Sequence, residues 1–312
     1  MNECKINCLD PEIKKKKEKR NDNSIKKMLS KILNISEDSI CSIESIGGMT
    51  NKSFKVFINN EYYILRIPGN GTVKIISRPD EKYNSLIAND LGLDTDILYF
   101  DEENGVKIAK YINNAQTINP ETAKKKENMI ETTNLLRTLH KSNMKFSNEF
   151  NVFKKIEEYE KLLKESNGTN FKDYSIVKQQ VLKLKEVLNN LGEESVPCHN
   201  DTVPENLVKS DDKLYLVDWE YSGMNDPMWD LAAHCLECDF SKEEEELFLN
   251  LYFNQEVESR YKTKILIYKV CQDFLWSIWT NIKEANGDDF GTYGEDRYNR
   301  AKININKILE LN

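Results

Sequence analysis

Hydrophobic periodicity changes character once along this chain, and that change limits the folds open to it. Before residue 113 the apolar residues come in short runs and alternations. Phe54, Val56 and Ile58 alternate with polar positions, Asn59-Asn60 makes a turn, and Tyr62 to Ile67 is a second apolar run. Ile43 and Ile46 precede them, and Ile97 to Phe100 and Val106 to Ile112 read as two more strands around Asp101 to Gly105. Strands joined by such turns form an antiparallel sheet. A helix opens at Pro79-Asp80 and ends before Gly92 within this part. From Asn113 onward the spacing is helical, with patterns near 153–166, 173–191, 226–238, 243–254, 259–284 and 296–310. Only residues 196–220 interrupt it, with short β-rich segments. The pattern predicts an α+β chain. A small antiparallel sheet with one helix forms its N-terminal lobe over 24–112, and a mainly helical C-terminal lobe spans 113–312.

Residues 1–23 carry the basic run Lys14 to Lys17, then Lys19-Arg20, interleaved with Glu12, Glu18 and Asp22. This reads as a flexible, solvated polar tail, the alternative being a tether to nucleic acid or membrane. Ser24 is expected to cap a helix bearing Ile25, Met28, Leu29, Ile32 and Leu33. The net charge is −8, which disfavours nucleic acid and anionic membranes as partners. No apolar run approaches the length of a membrane span, and no apolar h-region marks a secretory signal, so a soluble cytoplasmic protein is expected. Seven scattered cysteines fit that setting. Cys235 and Cys238 could form half a zinc site but lack a second ligand pair, and buried structural thiols are the reading favoured.

The chemistry concentrates in the interruption. Cys198-His199-Asn200-Asp201 leads to Asn206, and Leu214 to Val217 leads to Asp218-Trp219-Glu220. Pairing 206–210 with 214–218 around a three-residue turn at Asp211 to Lys213 sets Asn206 opposite Asp218, on one face. An even-length turn would turn one of them away. Asp and Asn in turns usually cap, but here several lie between apolar strands, and each left unpaired would cost about 1–3 kcal/mol. An amide oxygen with two carboxylates suits a hard cation such as Mg²⁺. In the first lobe, Gly47, Gly48, Thr50 and Asn51 lie between strands, where backbone N–H groups can approach phosphates, although hairpins also use glycine routinely. No GxxxxGK[ST] segment is present. Arg66 sits in an apolar strand and needs either a partner, for which Glu81 is the candidate, or an edge facing solvent.

The HxD-x4-N arrangement of His199, Asp201 and Asn206, followed by Asp218-Trp219-Glu220, resembles the catalytic segment of choline/ethanolamine kinases and aminoglycoside phosphotransferases. The continuation through Ala232 resembles bacterial choline kinases in particular, as do Gly47 to Asn51 and Leu65 to Gly69. The resemblance covers about residues 30–310 and leaves the basic run outside. It implies a protein-kinase-like two-lobe fold and an ATP- and Mg²⁺-dependent kinase making phosphocholine. By it, Asp201 accepts or orients the hydroxyl proton, and Asn206 and Asp218 hold the metal. Arg66 takes the place of the usual lysine, with Glu81 as its helix partner, and Ile108 to Tyr111 receive the adenine. His199 is structural, and Asp230 steadies the catalytic loop.

The acceptor must be read elsewhere. Trp276 and Trp279 are spaced i, i+3 on a helix, which by itself suggests core packing. By the resemblance they wall an ammonium pocket, which Tyr293 could close and to which Glu220 could add charge. A quaternary ammonium has no N–H to donate and relies on aromatic faces, at about 0.5–2 kcal/mol per contact. Choline is the acceptor expected. Ethanolamine, an aminoglycoside, or an inactive kinase-like scaffold are the alternatives.

Overall fold

The computed structural model describes residues 11–47, 51–69 and 74–310, which divide into two compact units. Of the described residues, the first takes those up to 69 and 96–111 and the second 74–95 and 112–310.

In the first unit, helix α1 (Pro11–Leu33) precedes strands β1 (Ile40–Gly47), β2 (Lys52–Ile58), β3 (Glu61–Ile67), β4 (Ile97–Phe100) and β5 (Lys107–Lys110). They form one antiparallel sheet in the order β1-β2-β3-β5-β4. The alternation foreseen in the sequence is the burial pattern. Phe54, Val56 and Ile58 point inward with Leu65, Val106 and Ile108, and Ile25 and Leu29 of α1 pack into the same core. The helix, however, begins at Pro11 rather than after Ser24. It therefore takes in the Lys14–Arg20 run expected as a flexible tail. Lysine and glutamate are good helix formers, no Gly or Pro interrupts the run, and Pro suits a first helical turn.

In the second unit α2 (Arg78–Asp90), β6 (Gln116–Thr117), α3 (Pro120–Ala123), α4 (Lys126–His140), α5 (Val152–Glu165) and α6 (Tyr174–Leu191) come first. Strands β7 (Val196–Cys198), β8 (Leu207–Lys209), β9 (Leu214–Leu216) and β10 (Gly223–Asn225) follow. Helices α7 (Pro227–Glu237), α8 (Lys242–Phe253), α9 (Ser259–Ala285) and α10 (Tyr293–Glu310) complete it. The helix counted with the sheet lobe from sequence, α2, is thus grouped with the helical unit. Long apolar faces of α4 to α10 make one core around Ile156, Leu184, Trp229, Ile267 and Phe274. The β-rich stretch lies against it as two small ladders, β6-β8-β9 and β7-β10. No helix among the described residues is long and apolar enough to cross a membrane. Of the cysteines, Cys198, Cys235, Cys238 and Cys271 are buried free thiols, and Cys41 is exposed.

Candidate active site

Strand β7 ends at Cys198, and three of the next four residues are held by groups from α7. Asp230, fully buried one turn into that helix, accepts the backbone N–H of His199 on Oδ2 (2.8 Å) and that of Asn200 on Oδ1 (2.7 Å). His140 Nε2 lies 3.0 Å from Oδ2, and the Thr202 hydroxyl donates to the Asp230 carbonyl at 2.6 Å. Asn200 adopts a left-handed conformation, φ 67°. Its side chain donates to the Tyr221 carbonyl (3.0 Å) and accepts from Asn225 (2.9 Å). The expected steadying role of Asp230 is therefore visible in its bonds.

His199 is buried against Trp219, ring centroids 4.7 Å apart. Its Nε2 sits 3.0 Å from the Val217 carbonyl, and its Nδ1 lies 3.3 Å from the Asp201 N–H. Those partners call for the neutral ring with its proton on Nε2. Burial keeps it neutral by lowering its pKa. It is a structural part, as anticipated.

Asp201 follows, with the Asn206 amide donating to its carbonyl (2.8 Å) and to Oδ2 (3.2 Å). The hairpin that carries Asn206 differs from the expected register. Leu207 pairs with Leu216, Val208 with Tyr215 and Lys209 with Leu214, and the Val217 N–H donates to the Asn206 carbonyl at 2.9 Å. Asn206 therefore faces Val217, not Asp218. The turn holds two residues, Asp211-Asp212, rather than three. The Ser210 N–H donates to the Lys213 carbonyl, and the Ser210 hydroxyl accepts from the N–H groups of Asp212 and Lys213. A serine that binds the turn amides itself shortens the loop by one residue.

Asp218 escapes the consequence by leaving the strand. It adopts φ 67°, ψ 67°, a conformation that costs a non-glycine residue about 1–3 kcal/mol and recurs at functional sites. It lies close enough to Asp201 to act on its charge. Burial first, then the charges of Asp218, Glu237 and Glu220, push the Asp201 carboxyl up to about 8, against the lowering bond from Asn206. Asp201, Asp218 and the Asn206 side chain bonded to Asp201 are groups of the kind that hold a hard divalent cation, and one bound there would relieve that repulsion.

The remaining expected residues divide between the units. In the first, Gly47 ends β1 at φ +91°, a conformation that requires glycine, and Asn51 is buried. Gly48 and Thr50 lie outside the described residues. Arg66 is buried, with Nη2 3.4 Å from the Gly105 carbonyl. Ile108 points into the sheet core, and the Tyr111 N–H donates to the Tyr62 carbonyl at 3.1 Å. In the second unit, Glu81 carries an ion pair not foreseen from sequence. Arg78, three residues earlier on α2, binds it at 2.5 Å and reaches Glu220 at 3.3 Å, so Glu220 already has a cationic partner.

Trp276 and Trp279 meet edge to face at 6.2 Å, within a longer row. Tyr221 lies 5.1 Å from Trp276, Phe290 5.2 Å from Trp279, and Tyr293 6.4 Å from Phe290. Both ends of the row, Tyr221 and Tyr293, feel the charge of Asp201, which raises their phenol pKa values after burial has done so. Tyr221, Phe290 and Glu237 were missed from sequence. Tyr221 directly follows the Asp-Trp-Glu segment, and Glu237 is two helical turns beyond Asp230 on the same face.

Residues 43–302 match the family model for choline/ethanolamine kinase. Protein LicA of Haemophilus influenzae is 34% identical over 266 residues, 82% of this chain and 78% of that protein. The crystal structure of choline kinase LicA from Streptococcus pneumoniae superposes with a TM-score of 0.82 at 40% identity. The match covers 92% of this chain and 99% of that one. A structure of LicA in complex with AMP matches with a TM-score of 0.80 at 40% identity, over 92% of this chain and 98% of that one. With its kinase-like fold, its loop Asp and the match over most of its length, the chain belongs to the choline/ethanolamine kinase family.

Proposed function

We propose that this enzyme is an ATP-dependent choline kinase, transferring the γ-phosphoryl group to the choline hydroxyl to give phosphocholine. One observation carries the choice of acceptor. The row of rings from Tyr221 to Tyr293 has both of its ends close enough to Asp201 to feel its charge. A trimethylammonium group needs aromatic faces, and its hydroxyl, two carbons away, then lies within reach of a carboxylate beside the row. Asp201 receives or orients the hydroxyl proton, and the Asn206 amide fixes the carboxylate's rotamer.

Asn206 and Asp218 would hold Mg²⁺, which when bound neutralises phosphate charge. Gly47, Gly48, Thr50, Asn51, Arg66 and the 108–111 strand end are the groups proposed for ATP, and Glu81 is proposed to support them. The AMP complex of the LicA relative supports nucleotide binding. Positioning and charge neutralisation dominate in phosphoryl transfer, so a rigidly held loop is the protein's main contribution. A cytoplasmic setting, where ATP is available and thiols remain free, belongs to the same reading.

The test is a coupled assay with ATP and Mg²⁺ across choline, ethanolamine and kanamycin. Choline should lead in kcat/KM by about tenfold or more. Asp201→Ala should lose turnover while still binding ATP. Undiminished turnover in that variant, or a preference for another alcohol, overturns the proposal.

A further inference from the structure

Three carboxylates on the segments that bear or adjoin the aromatic row already have arginine partners. Glu220 is bound by Arg78 at 3.3 Å. Asp273, fully buried on α9 one turn before Trp276, accepts from Arg300 Nε (2.7 Å) and Nη2 (2.6 Å) and from Arg297 Nη1 (3.2 Å). Glu237 at the end of α7 is bound by Arg297 Nη2. Arg297 is itself only 4% exposed. Its guanidinium lies 4.6 Å from the centroid of Tyr293, four residues earlier on the same face of α10. One side chain thus joins α7, α9 and the last ring of the row. A guanidinium does this because it is a planar fork with five donors and a face that stacks on aromatic rings.

We propose that Arg297 is a specificity-determining positioning residue. By holding Glu237 paired and the Tyr293 ring in place, it leaves the site with aromatic faces for a cation that has no N–H groups. It withholds the acceptors that a primary ammonium needs. The proposal rests on the choline kinase reading above and adds the reason why that site prefers a quaternary to a primary ammonium. A primary ammonium has three N–H donors to satisfy on leaving water, and a carboxylate already bound by arginine is a poor partner for them. Glu237 acts on Asp201 and on Tyr293 electrostatically, so freeing it changes the charge at the site itself.

The experiment uses the full chain with ATP and Mg²⁺ and measures kcat and KM for choline and ethanolamine. The variants are Arg297→Met, Arg297→Lys and Arg300→Met. In Arg297→Met the choline-to-ethanolamine ratio of kcat/KM should fall about tenfold, chiefly through KM for choline, with KM for ATP unchanged within about twofold. Arg297→Lys keeps a charge but loses the fork and the flat face, and should lower the ratio by about three- to fivefold. This variant decides the matter if the Met variant does not fold. Arg300→Met breaks two bonds to the same Asp273 while touching neither Glu237 nor Tyr293. It should lower thermal stability and leave the ratio unchanged. A ratio unmoved in both Arg297 variants, or moved as far by Arg300→Met, shows that Arg297 only staples helices together and overturns the proposal. A wild-type chain that phosphorylates neither alcohol instead fails the choline kinase reading, and this inference with it.

Discussion

The loop that presents Asp201 depends on one buried carboxylate, and Asp230→Asn tests how much. In the native protein both oxygens of Asp230 are used by backbone N–H groups, at 2.7 and 2.8 Å, and the His140 ring adds a third contact at 3.0 Å. The asparagine amide has one accepting oxygen. It can satisfy the N–H of Asn200 or that of His199 but not both, and its NH2 then points at the other donor. His140 can adapt by moving its proton between ring nitrogens, because Tyr252 at 2.9 Å from Nδ1 can accept or donate. A backbone amide cannot adapt.

The loss is one charge-assisted hydrogen bond, about 1.5–3 kcal/mol, plus a stranded buried N–H at about 1–3 kcal/mol. About 3–5 kcal/mol is a large fraction of the stability of a domain. Urea denaturation followed by tryptophan fluorescence measures it. Turnover should fall by two orders of magnitude or more, since Asp201 is two and one residues beyond the freed amides, while KM for ATP changes little. Asp230→Asn in a His140→Leu background should cost less than in the wild type, because the two side chains share one network. A variant within about 1 kcal/mol of wild type and with kcat within threefold would show that the loop holds its shape without Asp230, and the argument for how Asp201 is placed would fail.

Three other outcomes are expected. Trp276→Ala should raise KM for choline by about tenfold, the worth of a desolvated cation–π contact with its apolar area, and leave KM for ATP alone; equal effects on both would mean that Trp276 only packs. His234 is buried between Phe240 and Phe248, with Nδ1 3.0 Å from the Thr202 carbonyl and Cys238 Sγ 3.6 Å away, and burial pushes its pKa down to about 4. The unfolded chain takes up that proton near pH 6.5, so this contribution to stability is present above pH 6.5 and is lost as pH falls toward 4, by roughly 3 kcal/mol at most. The stability difference between wild type and His234→Gln should therefore change across that window, and parallel curves would refute it. Gly223 leaves no room for a methyl group, since a Cβ there would meet Asn148 Nδ2 at 2.8 Å and its carbonyl at 3.3 Å. Gly223→Ala should cost about 1–3 kcal/mol in thermal unfolding, and a neutral result would show that the Asn148 loop yields freely.

Helix boundaries in the second unit were legible almost to the residue, because each long helix carries its own apolar stripe and its own end signals. The pattern near 173–191 became Tyr174–Leu191, and that near 226–238 became Pro227–Glu237. The nearness of Asp201 to Asn206 and Asp218 was legible as well, since motif spacing is a property of the chain. The start of α1 was not. Lysine-rich polar sequence suits a helix and a tail equally, and nothing local separates the two.

What the sequence determined alone is the inventory: which segments are strands, which are helices, and where the polar residues proposed for the chemistry stand along the chain. Tertiary structure decided who meets whom. A serine hydroxyl binding the amides of its own turn moved the hairpin register by one residue, and a left-handed backbone then carried Asp218 out of the strand. Arg78 took Glu81 and Glu220, and Arg297 took Glu237, across 60 residues of chain. Such pairings depend on desolvation and on the competition between partners brought together by packing. Both arise only once the core has formed, so no periodicity along the chain records them.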